Sequence, residues 1–109
     1  MRFGTIAIVG GTGDLGSAIA RRLARAGRKV IIGSRSAEAA VAAAQRLGHG
    51  ITGLSNEDAA AAGDCVIVTV PFAAQEATLA GIAPHVAGKV VVDTTVPLVP
   101  PRVMRVQLP

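Results

Sequence analysis

The sequence predicts an α/β fold, a doubly wound parallel sheet of about five strands in the order 3-2-1-4-5, with residues 1–109 forming one domain. Three observations carry this expectation. Strand-like and helix-like patterns alternate about every 25 residues, and parallel strands joined by right-handed helical crossovers are the economical way to build such an alternation. The strand patterns are nearly continuous apolar runs, as expected where both faces of a sheet are covered. Finally, a cluster of glycines lies where the first strand meets the first helix.

The elements follow in order. "FGTIAIV" (residues 3–9) reads as a buried strand. After the glycines, Leu15, Ile19, Ala20, Leu23 and Ala24 recur at helical spacing, and Gly27 stands where a C-terminal cap is expected. "KVIIG" (Lys29 to Gly33) is a second short strand. "SAEAAVAAAQRLG" (Ser36 to Gly48) is an Ala-rich helix with Ser36 as N-cap and Gly48 as its stop. "ITGL" (Ile51 to Leu54) fits a third strand. Ser55 followed by Asp58 resembles a capping box that opens a helix through Ala62. "CVIVTV" (Cys65 to Val70) is a fourth strand stopped by Pro71, and a weaker helix then runs to about Ala83, ended by Pro84. "KVVVD" (Lys89 to Asp93) is the fifth strand. Beyond Thr94, prolines at 97, 100, 101 and 109 leave little regular structure to expect.

Half the residues are apolar, and 109 residues suffice for a real core. With no Trp or Tyr and only two Phe, aromatic stacking platforms for nucleic acid are not expected. The formal charge of +4 comes from nine Arg and two Lys against seven acidic residues. The arginines are scattered apart from the group Arg21, Arg22, Arg25 and Arg28, which reads as a solvated helix face rather than a nucleic-acid site. The single cysteine, Cys65, excludes an intrachain disulfide framework and fits a reducing compartment. The opening apolar run is too short for a signal peptide, and no stretch approaches the ~20 apolar residues of a membrane span. A cytoplasmic location without membrane contact is therefore expected.

The stretch Gly11-Thr12-Gly13-Asp14-Leu15-Gly16 satisfies G-x-G-x-x-G. The pattern alone is weak; a buried strand before it and an amphipathic helix after it supply the setting of a dinucleotide-binding, Rossmann-type turn. Gly11 then permits the tight turn, Gly13 lets a pyrophosphate approach the backbone, and Gly16 lets helix and strand pack closely. Free amides at the helix start face the anion. Asp14 is awkward there: a carboxylate suits a helix N-terminus, yet it repels a nearby pyrophosphate unless it points away. Gly10, Gly13 and Gly16 also give the G-x-x-G-x-x-G spacing of short-chain dehydrogenases, but a chain with no tyrosine lacks their Tyr-x-x-x-Lys pair.

The second strand ends in "GSRS". NAD-selecting enzymes usually place Asp or Glu here to hold the ribose 2′-hydroxyl. Ser34 instead offers a hydroxyl and Arg35 a planar cation, a pair suited to a 2′-phosphate, and no carboxylate lies between Gly33 and Ala37. NADP is favoured over NAD. At the fourth strand, "TVPF" brings Val70, Pro71 and Phe72 to the carboxyl edge, where ligands of open parallel sheets lie; the alternative is a strand stopped by proline with Phe72 in the core.

Taken together, "IVGGTGDLG", "IIGSR", "ITGLSNEDAAAAGD", "VTVPF" and "TTVPLVP" resemble the N-terminal domain of the NADPH-dependent coenzyme F-420 reductases, over positions 8 to about 100. The resemblance implies that Thr12, Asp14 and Leu15 line the pyrophosphate. It implies further that Ser34 and Arg35 hold the 2′-phosphate, and that Val70, Pro71 and Phe72 flank the nicotinamide. It also implies direct hydride transfer between the nicotinamide and the deazaflavin, which the cofactors themselves carry out, so that no acid–base pair is required. Two departures weaken the match at the phosphates. Asp14 stands where family members often have Asn, and Ser36 and Ala37 stand where they often have further basic residues. Family members also run on well past this length, into the rest of the deazaflavin site and a dimer interface.

Other residues point elsewhere. His49 and His85 have no second ligand at metal spacing and read as surface histidines. Cys65 reads as a small buried hydrophobe, and Asp93 at the end of the fifth strand as a capping residue or a functional one. Three functions remain open: hydride transfer between NADPH and coenzyme F-420; another NADP-dependent reductase of similar fold, such as a ferric or imine reductase; and an NADP-binding module without catalysis. The exposed edge beside the fifth strand predicts a homo-oligomer.

Overall fold

The computed structural model describes residues 4–70 and 72–94, with the side chain of Phe72 excluded. Their elements run β1 (Thr5–Val9), α1 (Asp14–Arg25), β2 (Lys29–Ser34), α2 (Ala37–Leu47), β3 (Thr52–Ser55), α3 (Asn56–Ala62), β4 (Cys65–Val68), α4 (Phe72–Ile82), a 3-10 turn (Ala83–His85) and β5 (Val90–Asp93). The five strands form one parallel sheet in the order β3-β2-β1-β4-β5, as the sequence predicts. Among the described residues no helix is long and apolar enough to cross a membrane.

Alternation along the strands divides the core in two. Ile6, Ile8, Val30, Ile32 and Cys65 point to the face covered by α1 and α2, where Ala20, Ala40, Ala43 and Ala44 are buried against them. Ala7, Val9, Ile31, Val66 and Val68 point the other way, onto Ala59 and Ala60 of α3 and Ile82 of α4. Because side chains alternate faces along a strand, a one-residue slip of β1 would exchange the two cores; register is thus tightly specified. Alanine-rich helices approach the sheet closely, and glycine extends this at β3: a Cβ on Gly53 would lie 2.3 Å from the Ala40 carbonyl.

Caps form where the sequence places them. The Ser36 hydroxyl accepts from the Ala39 amide and the Ser55 hydroxyl from the Asp58 amide, each satisfying an orphan donor of a first turn. At the end of α1, Gly27 adopts φ +87°. Its N–H donates to the Ala24 carbonyl and that of Arg28 to Leu23, the paired bonds of a Schellman cap. Lys89 Nζ donates to the Ala60 and Ala61 carbonyls at 2.7 and 2.8 Å, placing a cation at the negative end of α3.

Several boundaries differ from the sequence expectation. Gly4 precedes β1 rather than belonging to it, and β3 begins at Thr52, leaving Ile51 buried beside it. β4 stops at Val68, two residues before the expected end, because its pairing partners run out at Val9 and Asp93. Thr69 no longer continues the ladder in both directions; it bonds back to the Val9 carbonyl through both its amide and its hydroxyl. Pro84 does not simply end α4. It sits in the first positions of the 3-10 turn, where a missing N–H costs nothing. Leu15 is the clearest reversal: expected on the buried stripe of α1, it is 51% exposed, while Gly16 beside it is buried against Gly11 and Thr69.

Candidate functional site

The carboxyl ends of β1, β2 and β4 lie side by side, Val9 being in register with Gly33 on one side and Val68 on the other. The chain leaving β1 enters the glycine turn at this edge. Its amides divide into two groups. Those of Gly10 and Gly11 both donate to the Gly33 carbonyl at 3.0 Å, and that of Gly13 to Gly10 at 3.4 Å, so these donors serve the turn itself. The amides of Thr12, Asp14 and Leu15 have no acceptor among the described residues. They lie in the turn and the first positions of α1, where the positive end of the helix favours an anion.

The glycines divide just as cleanly. Gly10, not Gly11, carries the left-handed backbone of the turn, at φ +78°, and a Cβ there would lie 2.5 Å from Val70 Cγ1. Gly11 is required by packing, since a Cβ would meet Ile32 Cγ2 at 2.8 Å and the Ile8 carbonyl at 2.9 Å. Gly16 lets α1 rest on the turn, since a Cβ there would lie 2.6 Å from Gly11 Cα and 2.7 Å from Thr69 Oγ1. Gly13 is different. At φ −77° and ψ 173° any residue fits, and a Cβ would meet nothing nearer than the Gly10 carbonyl at 3.9 Å. Nothing among the described residues asks for glycine at position 13; the space in front of it is a cradle that a Cβ would fill.

The Ser17 hydroxyl donates to the Gly11 carbonyl at 3.0 Å and its amide to Gly13 at 2.8 Å, clamping the turn to α1. On the β2 side, Ser34 Oγ accepts from the Ser36 amide at 3.3 Å and keeps its own proton to donate. Arg35 is exposed and has no hydrogen-bond or ion-pair partner among the described residues. Its planar guanidinium, beside a hydroxyl donor and with no carboxylate between Gly33 and Ala37, matches a phosphate. Asp14 is exposed as the first residue of α1 and caps nothing with its side chain. On the β4 side Val70 is buried against Gly10. Pro71 and the Phe72 side chain, expected beside it, lie outside the described residues.

Three features of this edge have no local signature in the sequence. Asn56, the first residue of α3, is 5% exposed and accepts from the Gly10 amide through Oδ1 at 3.2 Å, a contact across 46 positions. Asp93 accepts from Gln75 Nε2, tying the end of β5 to the start of α4. Thr94 donates twice to the Val68 carbonyl, from its amide and its hydroxyl. Asp93 is therefore a tether between β5 and α4 at the carboxyl edge of the sheet. Cys65 is buried as expected, and burial pushes its thiol above the ordinary range, which makes it an inert core group at neutral pH.

A turn with amides that have no acceptor among the described residues, an open cradle at Gly13 and an arginine without a partner among them at the end of the next strand together fit the two phosphate groups of an NADP-type dinucleotide. Residues 5–97 match the family described as NADP oxidoreductase, coenzyme F420-dependent. The chain belongs to this family. It is 48% identical over 100 residues to the F420-dependent NADP reductase of Methanothermobacter thermautotrophicus, covering 85% of this chain and 43% of that protein. It is 42% identical over 102 residues to the enzyme of the same name from Methanocaldococcus jannaschii, with 85% and 45% covered. Among solved structures, a putative F420-dependent NADP-reductase from Arthrobacter sp. FB24 superposes with a TM-score of 0.77 at 29% identity, over 98% of this chain and 51% of that one. The chain thus spans about half the length of the family members it matches, or somewhat less.

Proposed function

We propose that this chain holds NADP(H) for hydride exchange with the deazaflavin coenzyme F420. The observation that carries the cofactor choice is Arg35, a guanidinium with no partner among the described residues, next to the Ser34 hydroxyl at the end of β2. Thr12, Asp14 and Leu15 receive the pyrophosphate through their amides, Gly13 leaves it room, and Gly11 and Gly16 hold turn and helix close enough to aim those amides. Ser34 and Arg35 receive the 2′-phosphate. Val70 borders the nicotinamide half by standing against Gly10 at the switch point of the sheet. When bound, the nicotinamide supplies the hydride that F420 accepts. The chain's own part is to bind, orient and desolvate.

Replacing Arg35 by Gln tests the cofactor choice. Its loss is expected to weaken NADPH binding roughly 10- to 100-fold, the worth of a charge-assisted phosphate contact. NADH binding should stay within about threefold. Equal losses for both nucleotides would remove Arg35 from the 2′-phosphate. Mixing NADPH with F420 and following the deazaflavin absorbance then separates hydride transfer from nucleotide binding alone.

The same reading puts the chain in the cytoplasm and has it self-associate, since β5 forms one edge of the described sheet. Light scattering during size exclusion is expected to return a mass above one chain; a monomer mass at high concentration would count against it.

A further inference from the structure

We infer that Asn56 is a nucleotide-contacting residue that reads the adenosine ribose, an assignment that rests on the NADP(H) reading above. Asn56 is the one polar side chain among the described residues that the fold buries. Its oxygen is spent on the Gly10 amide, which also bonds the Gly33 carbonyl. A Cβ on Gly33 would lie 2.9 Å from that same Oδ1. The carboxamide is therefore wedged between the glycine turn and the end of β2, with its orientation set on the oxygen side. Its Nδ2 has no acceptor among the described residues, and no buried side-chain nitrogen or oxygen among them lacks a partner. The NH2 consequently reaches solvent, as a donor held by a buried frame.

The place where it emerges is the carboxyl edge of the sheet, because α3 starts directly after β3 and Ser55 is in register with Ser34. On one side stand the turn amides that have no acceptor among the described residues, on the other Ser34 and Arg35. A dinucleotide with its pyrophosphate on the first and its 2′-phosphate on the second must carry the connecting ribose across this interval. The 2′-oxygen is committed to its phosphate, which leaves the 3′-hydroxyl to face Asn56. Asn56 Nδ2 donates to that 3′-oxygen, while Oδ1 keeps the turn in its binding form.

The test compares NADP+ with its analogue lacking the 3′-hydroxyl on the adenosine ribose, titrated into the wild-type chain and into Asn56→Ala and Asn56→Leu. The wild type is expected to bind the deoxy analogue about tenfold more weakly, and the variants to differ by less than about twofold between the two ligands. Comparing two ligands on one protein cancels any general loosening of the turn, which a merely structural role would cause. A wild type that does not discriminate, or variants that discriminate as it does, would overturn the assignment. Absence of NADP+ binding by the wild type would instead overturn the nucleotide reading itself. If neither variant folds, the side-chain amide signals of Asn56 in the wild type decide. They are expected to move with NADP+ and much less with the deoxy analogue, and equal movement would refute the contact.

Discussion

Gly13→Val is expected to weaken NADPH binding by about a hundredfold or more, the equivalent of roughly 3 kcal/mol, while the protein remains folded. The backbone at Gly13 is extended, and among the described residues a Cβ there would meet only the Gly10 carbonyl at 3.9 Å. The cost to the free protein is thus confined to a poorer helix N-cap, about 1 kcal/mol. The same side chain fills the space that an approaching pyrophosphate needs and stands in front of the Asp14 and Leu15 amides. Calorimetric titration with NADPH, paired with a thermal melt, checks both halves. A variant that melts as expected but still binds NADPH at wild-type strength would show that no phosphate approaches the turn here. Gly10 and Gly16 cannot serve this purpose. A Cβ at either would press on the protein itself, at 2.5 Å from Val70 and 2.6 Å from Gly11, so lost binding would be inseparable from lost structure.

Gly53→Ala is expected to cost about 3 kcal/mol or more of stability and to lower the melting temperature by roughly 15 °C. The new methyl would stand 2.3 Å from the backbone carbon and oxygen of Ala40 and 2.5 Å from the Val41 amide nitrogen. Backbone in mid-helix cannot swing aside as a side-chain tip can, so α2 must lift off β3 and with it Ala40, Ala43 and Ala44 from the core. Against a total stability of about 5–15 kcal/mol for a domain, this is a large share. Gly81→Ala supplies the contrast. It lies exposed within α4, its nearest obstacle is the flexible end of Glu57 at 3.2 Å, and the better helix former should gain about 0.5–1 kcal/mol. Thermal melts of the two variants are expected to move in opposite directions. A wild-type melting temperature for Gly53→Ala would mean that α2 does not rest on β3 at this distance.

Much of the candidate site was legible because its signals are local. Ser34 and Arg35 follow a readable strand, the glycines follow another, and both lie at strand ends by the alternation alone. The division of labour among the glycines was not legible. Gly10 and Gly11 are adjacent, and only the neighbours folded against them, Val70 for one and Ile32 for the other, decide which bends the chain and which merely yields space. Leu15 misled for a related reason. Its spacing matches the buried stripe, but in the first turn of α1 it is Gly16, not Leu15, that is buried against the rest of the protein. Asn56 looked like an ordinary residue after the N-cap Ser55, since its partner Gly10 is 46 positions away.

By itself, then, the sequence determined the alternation of elements, the caps at Ser36, Ser55 and Gly27, and the strand order, because periodicity, capping and crossover handedness act within one turn or one crossover. Folding in three dimensions set which turn amides lack an acceptor among the described residues, where β4 ends, and that Asn56 bonds to Gly10 and Gln75 to Asp93. Those outcomes depend on which groups meet across the sheet edge, and a hydrogen bond between residues 46 or 18 positions apart leaves no periodic trace in the chain that makes it.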